Sequence, residues 1–232
     1  MTDWLAPLAT PVDWAGAALF VLVFPVYHTV YPWLARRFPE RAAKHRIDLY
    51  RRSWIERLLE KQDVLAAAHQ TRNLAMVNSL LASSSLILMG FVANLALAPP
   101  AGITEVLPAP AVAAGVQAFR VKLYLLLVVF AVCFAYFLAS LRHLGHFNVV
   151  IGADPRLVDE HEGSSVAYFM TLLALASNRF TLGTRCLYSA FPLFLWVFDP
   201  WLFLGLTVFS GVKFVVFQDF RYLLRRPRRE IG

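Results

Sequence analysis

Polar and charged side chains inside long apolar stretches are the residues of this sequence whose types and positions could do chemistry. Such residues are costly in a bilayer, so they often mark a path for an ion or a solute. We predict a permeation pathway from them, lined by seven candidate residues: Asn78, Ser79, Ser83, Asn94, Arg185, Lys213 and His28.

Each of these candidates also has a purely structural explanation. Asn78 and its Ser neighbours could form a seam of small residues that packs against another helix. Arg185 and Lys213 lie about 20 Å from the predicted outer face at about 1.5 Å per residue. At that depth, long cationic side chains could reach the phosphates of the inner leaflet. If these cations do line a pathway, its inner end favours anions or anionic lipid.

Motifs of known enzymes do not appear in the sequence. It has no nucleophile elbow, phosphate-binding loop, Cys-x-x-Cys pair or zinc-protease motif. Cys133 and Cys186 lie in apolar stretches and are explained as small packing residues. His143 and His146 are three residues apart, but no Glu-x-x-His motif accompanies them. We therefore expect no enzymatic activity, no cofactor and no metal.

The composition indicates a membrane protein. Of the 232 residues, 59% are hydrophobic and only 16% are charged, and the mean hydropathy is +0.57. The apolar residues form blocks near the length of a bilayer crossing, which takes about 20 helical residues. The net charge of +7 is concentrated beside these blocks, as the positive-inside rule describes. Nucleic-acid binding is therefore not expected.

The apolar blocks predict an all-α, polytopic membrane helical bundle that forms a single membrane domain. We predict five spans, at residues 14–35, 73–96, 121–140, 178–198 and 200–217. Four spans are the alternative. Basic runs after the first and the last span place the N-terminus outside and the C-terminus in the cytoplasm of a bacterial inner membrane. The Asp199-Pro200 pair predicts a tight turn that begins the last helix.

Residues 41–70 form a charged segment that predicts an amphipathic cytoplasmic helix continuing into the second span, as one long helix or as two nearly collinear ones. The apolar stripe comprises Ile47, Tyr50, Trp54, Leu58 and Leu65. The spacing of Ser53 and Glu56 would allow the helix to restart there, and Asp48 is placed to pair with Arg52. If the helix protrudes, it could dock a partner through Arg52, Trp54 and Arg57.

Three stretches carry a resemblance to a known family. They are RNLAMVNSLLASSSLIL, SLRHLGHFNVVIGADP and NRFTLGTRCLYSAFPLFLWVFDPWLF. In these stretches the sequence resembles a bacterial and plant family of small multi-pass membrane proteins known only as a domain of unknown function. The resemblance extends from about Trp14 to about Arg226. It implies the membrane fold and implies no activity.

Two functional hypotheses follow. The first is a homo-oligomer that forms a permeation pathway for small ions or solutes, since closed cyclic assemblies are common and five spans are few for a pore within one chain. The second is a membrane scaffold or accessory subunit whose cytoplasmic helix docks a partner. In both, the protein's partners are the lipid bilayer and copies of itself.

Overall fold

The structure is a computed structural model that describes residues 10–26, 29–30, 43–61, 63–97 and 109–214. Within these ranges it contains seven α-helices and a π-helical turn, and no strand. The predicted all-α fold is therefore confirmed. Two of the helices are long and apolar enough to cross a membrane, by length and composition.

The first helix, α1 (Pro11–Val21), begins where a side chain caps it. Thr10 is its N-cap, and the Thr10 hydroxyl accepts a hydrogen bond from the backbone N–H of Asp13. Pro11 follows at the first helical position, where its missing N–H costs nothing. A π-helical turn, Leu22–Val26, continues the helix and contains Pro25. Proline cannot donate in the helical ladder, and this turn accommodates it.

The amphipathic segment forms two helices, α2 (Ala43–Lys61) and α3 (Val64–Leu97), rather than one continuous helix. Asp63 lies at the break, where its carboxylate accepts a hydrogen bond from the backbone N–H of Ala66 at 3.0 Å. Asp63 therefore acts as the cap of α3. The predicted restart at Ser53 was wrong, because α2 runs through Ser53 without interruption.

The buried side of α2 differs from the predicted stripe. Of the predicted stripe, Leu58 is buried and Trp54 packs against the core beside Ile55. Ile47 and Tyr50 of α2 are exposed, as is Leu65 of α3. The predicted Asp48–Arg52 pair was also wrong. Asp48 pairs with Arg51 at 3.0 Å, and Arg52 pairs with Glu56 at 2.9 Å.

The next helix, α4 (Ala109–Val150), has 42 residues and is longer than predicted at both ends. It begins between the predicted second and third spans, and it continues ten residues past Ser140. The short helix α5 (Pro155–Glu162) follows within the predicted cytoplasmic connection. Asp154 caps its start, and Gly163 ends it with φ +80°, a conformation that suits glycine.

The last two helices flank the predicted turn at Asp199-Pro200. The helix α6 (Ser165–Trp196) is continuous over 32 residues, and α7 (Pro200–Val212) begins at Pro200. The Asp199 carboxylate accepts hydrogen bonds from the backbone N–H groups of Trp201 and Leu202 at 2.6 and 3.1 Å. The predicted capped turn is confirmed.

The described helices belong to two compact units. The first unit comes from residues 1–28, 82–135 and 183–211, and the second from residues 29–81, 136–182 and 212–232. The core of the first unit contains Val92, Ala96, Leu123, Leu126, Phe130, Ala190, Leu193, Trp196 and Phe203. The core of the second unit contains Ile55, Leu58, Ala67, Phe147, Ile151, Val158, Phe169, Leu172 and Leu173.

Hydrogen bonds between helices set the register of the second unit. The Ser140 hydroxyl of α4 donates to the Ala176 carbonyl of α6 at 2.8 Å. The Thr71 hydroxyl of α3 contacts the amide oxygen of Asn148 in α4. Such bonds between buried side chains and backbone hold apolar helices together where the hydrophobic effect alone does not.

Candidate functional site

The predicted pathway residues of α3 lie on different faces of the helix. Asn78 is 1% exposed, and its amide N–H donates to the Leu74 carbonyl at 2.9 Å. Its side-chain oxygen accepts no hydrogen bond from any residue that the structure describes. Ser79, Ser83 and Asn94 are exposed. The predicted seam of small residues therefore includes a buried position at Asn78 and exposed positions at Ser79 and Ser83.

The other predicted pathway residues are distributed through the chain. Arg185 is 8% exposed and belongs to the first unit. It is therefore enclosed by protein and does not extend along the outer surface as a snorkelling side chain would. Lys213 is half-buried and belongs to the second unit. His28 lies outside the described residues.

The three predicted docking residues of α2 do not form one surface. Trp54 packs against the core of the second unit. Arg52 and Arg57 are both exposed, but five helical residues separate them by about 140° around the helix axis. The face of α2 that remains open contains Tyr50, which is 72% exposed, together with Ile47 and Arg57.

An ion pair that the sequence analysis missed is enclosed in the first unit. Lys122 of α4 lies 3.5 Å from the Asp13 carboxylate of α1. The same carboxylate accepts hydrogen bonds from the Trp196 indole N–H at 2.6 Å and from the Thr10 hydroxyl at 2.5 Å. The Lys122 ammonium also donates to the Trp196 carbonyl at 3.0 Å. Three helices thus meet at one compensated pair of charges, which we call the Asp13 cluster.

The electrostatics of the Asp13 cluster favour the ionised carboxylate. Burial alone would raise the pKa of Asp13. The hydrogen bonds from Thr10 and Trp196 and the charge of Lys122 together lower the pKa by more than burial raises it. The pKa therefore lies below its ordinary value. Buried charges are tolerated when they are paired and hydrogen-bonded in this way.

Aromatic packing encloses the Asp13 cluster. The Trp196 ring stacks on Phe203 of α7, with centroids 4.5 Å apart and planes 14° from parallel. Gly16 of α1 lies against the same Phe203 ring, and a Cβ at Gly16 would come within 2.8 Å of it. The close approach of α1 to α7 therefore requires glycine at this position.

A signal for this cluster was present in the sequence. Asp13 precedes the predicted first span, and Lys122 lies near the outer end of the third, against the positive-inside trend. Since Asp13 and Lys122 lie at the same predicted membrane face and have opposite charges, an ion pair between them could have been predicted. Nothing in the sequence indicated that Trp196 would supply the second donor.

A group of basic side chains lies where α4 and α6 run side by side in the second unit. Arg142, His143 and His146 belong to α4, and Arg179 belongs to α6. The Arg179 guanidinium lies 6.0 Å from the centre of the Tyr136 ring. Burial and the nearby charges of Arg179, His146 and Arg142 lower the pKa of His143, which lies beyond the predicted third span. We call these four residues the basic cluster.

Candidate metal ligands do not converge in the part of the chain that the structure describes. Within those ranges, no group of three or more His, Cys, Asp or Glu side chains could hold a metal ion. His161 is instead placed by its own helix, where an imidazole nitrogen lies 3.0 Å from the Leu157 carbonyl.

Comparison with known proteins gives a family and no function. No curated protein matches the chain, and no solved structure matches it. A family model described as "Protein of unknown function, DUF599" matches residues 15–222. This match confirms the resemblance to a family without an assigned function. Since it covers most of the chain, the protein belongs to the DUF599 family.

Proposed function

We propose that this protein is a multi-pass inner-membrane protein whose copies assemble around a permeation pathway for small ions or solutes. The proposed spans are residues 14–35, 73–96, 121–140, 178–198 and 200–217, with the N-terminus outside and the C-terminus in the cytoplasm. Two helices of suitable length and composition support a membrane role, and the charge pattern supports this orientation.

The polar stripe on the outer face of α3 is the observation that carries the proposal. Ser79, Ser83, Gly90 and Asn94 are all exposed, and they lie within about 60° of one another around the helix axis. Only 22% of the most apolar 18-residue window of α3 is buried within the protein. Polar groups in a lipid-facing helix are favourable when they meet another helix or a water-filled path.

Cyclic assembly gives this stripe a function. In a ring of identical copies, the same helix face of every chain can point towards the symmetry axis. Exposed Ser and Asn side chains around that axis would provide hydrogen bonds for a hydrated solute. The excess of cationic residues on the cytoplasmic side, with Arg185 and Lys213 in the inner third, favours anions at the inner end.

Ion flux from liposomes that contain the purified protein tests the proposal. We expect a protein-dependent flux that is larger for halide than for potassium. Ser83→Leu and Asn94→Leu should lower it several-fold, because each replaces a polar group of the stripe with an apolar side chain. Val77→Leu is the matched control, since Val77 is exposed about 160° away from Ser79 on the same helix. No flux above that of empty liposomes, across pH and voltage, would contradict the pathway.

A scaffold is the second candidate function, and the open face of α2 favours it. Tyr50 and Ile47 are large apolar side chains exposed beside Arg57, a composition common where proteins meet. Arg57→Glu should then release a partner that co-purifies from native membranes. Under this alternative the liposomes show no flux, and the stripe variants retain the partner.

A further inference from the structure

The basic cluster is a positively charged patch to which neither proposed function assigns a role. Arg142, His146 and Arg179 are exposed, and His143 is half-buried. His143 and His146 are three residues apart on α4, so their rings lie on neighbouring positions of one helix face. Two different helices therefore supply cationic groups to one small region of the second unit.

The cluster does not include an acid that would balance its charge. The ion pairs Arg51–Asp48, Arg52–Glu56 and Lys122–Asp13 involve other residues, and no acid among the described residues is paired with a member of the cluster. The charges that act on His143 are those of Arg179, His146 and Arg142, and all of them are cationic. Nearby like charges repel one another. An anion bound between these side chains would attract each of them and offset that repulsion.

Tyr136 adds a second element to the site. The Arg179 guanidinium lies over the Tyr136 ring, and this contact holds it without using the donors of the guanidinium. The Arg179 side chain is exposed, so its N–H groups can reach an oxyanion. A planar guanidinium with free donors is well suited to bind phosphate in a bidentate manner.

The position of the cluster indicates which phosphate it would meet. Arg142 follows the predicted end of the third span at residue 140, and Arg179 follows the predicted start of the fourth at residue 178. The Ser140–Ala176 hydrogen bond places these two helix segments side by side. In the proposed orientation, both cations lie at the level of the phospholipid headgroups of the cytoplasmic leaflet.

We propose that Arg142, His143, His146 and Arg179 bind the phosphate headgroup of an anionic phospholipid in the cytoplasmic leaflet. This inference rests on the proposed membrane orientation, but it does not require a permeation pathway. The arginines supply charge-assisted hydrogen bonds to the phosphate oxygens. His143 and His146 supply ring N–H donors to the same phosphate.

Lipid retention by the detergent-purified protein, measured by native mass spectrometry, tests the inference. The probes are phosphatidylglycerol, the zwitterionic phosphatidylcholine and inorganic phosphate. We expect phosphatidylglycerol to be retained in preference to phosphatidylcholine and not to be displaced by millimolar phosphate. Arg142→Gln with Arg179→Gln should weaken retention about ten-fold or more, as expected for the loss of hydrogen bonds between charged groups.

Controls separate this inference from other outcomes. Arg156→Gln removes an exposed cation of α5 and should leave retention unchanged. Arg142→Lys with Arg179→Lys keeps the charge and should retain part of the binding, provided that both variants elute as folded protein. Equal retention of the two lipids, displacement by phosphate, or an unaffected Gln variant would each overturn the inference. Lipid retention is measured in detergent and does not depend on ion flux. The absence of flux from liposomes would therefore contradict the permeation pathway but not the lipid site.

Discussion

Lys122 in the first unit and Arg179 in the second show two different ways of placing a cation in an apolar helix. Both contact an aromatic ring, Trp196 at 5.1 Å and Tyr136 at 6.0 Å. Lys122 is mostly enclosed and has a carboxylate beside it, whereas Arg179 is exposed and is paired with no acid among the described residues. A buried charge must be compensated inside the protein, while an exposed one can be compensated from outside.

The largest expected effect is the loss of one partner of the buried pair. Lys122→Met should destabilise the protein by about 3 kcal/mol, because it leaves the Asp13 carboxylate buried beside an apolar side chain. Thermal unfolding in detergent, followed by circular dichroism, measures the change.

A double variant distinguishes an unpaired charge from lost packing. Asp13→Asn combined with Lys122→Met removes both charges and should recover much of the stability lost in Lys122→Met alone. If the double variant is as unstable as the sum of the two single variants, the pair does not compensate charge as we describe.

The next largest effect concerns the packing around the Asp13 cluster. Gly16→Ala places a Cβ within 2.8 Å of the Phe203 ring and should cost about 1–3 kcal/mol through overpacking. Gly90→Ala is the matched control, because nothing lies within 4 Å of a Cβ at Gly90. Equal unfolding temperatures for the two variants would contradict the close contact of α1 with α7.

Acid should weaken the first unit through Asp13. Its pKa in the folded protein lies below the ordinary value of 3.8, so its stabilisation is fully present above that value. The stabilisation is lost as the pH falls through the lower, folded-state pKa. Unfolding temperatures of the native protein and of Asp13→Asn, compared at neutral pH and at about pH 3, should converge in acid. A constant difference between them would show that Asp13 does not titrate in this way.

The smallest effect on stability is expected in the basic cluster. Arg142→Gln and Arg179→Gln should each change the free energy of unfolding by less than about 0.5 kcal/mol, since both side chains are exposed and lack an acidic partner among the described residues. If Arg179→Gln lowered the free energy of unfolding as much as Lys122→Met does, the contrast between Lys122 and Arg179 would not hold. The measurement is the same thermal unfolding in detergent without added phospholipid.

Local patterns in the sequence predicted the all-helical class and the capped turn at Asp199. That turn follows from backbone chemistry within a few residues. Whether the charged segment and the second span form one helix or two stayed open, because Asp63 lies within a helical pattern and its capping bond forms only once α3 begins. Of the predicted stripe, Trp54 and Leu58 meet the core but Ile47 and Tyr50 do not, because a row of apolar residues does not determine which of its members pack inside.

The candidate site was less predictable than the helices. Asn78 and Ser79 are adjacent in the sequence, but one is buried and the other is exposed. The Trp196–Asp13 hydrogen bond joins residues 183 positions apart. No local pattern encodes a contact of that separation, so sequence reasoning could name each residue but could not pair them.

The sequence by itself determined the all-helical class, the family and the composition of helices suited to a membrane, because these depend on hydrophobicity and on local capping. The tertiary structure decided which charges are paired and which are exposed. Asp13 and Lys122 compensate each other only because α1, α4 and α6 meet at that point. Arg142, His146 and Arg179 surround His143 because α4 and α6 run side by side, and no acid among the described residues is paired with them. Electrostatic energy depends on distance in space, and folding alone sets those distances.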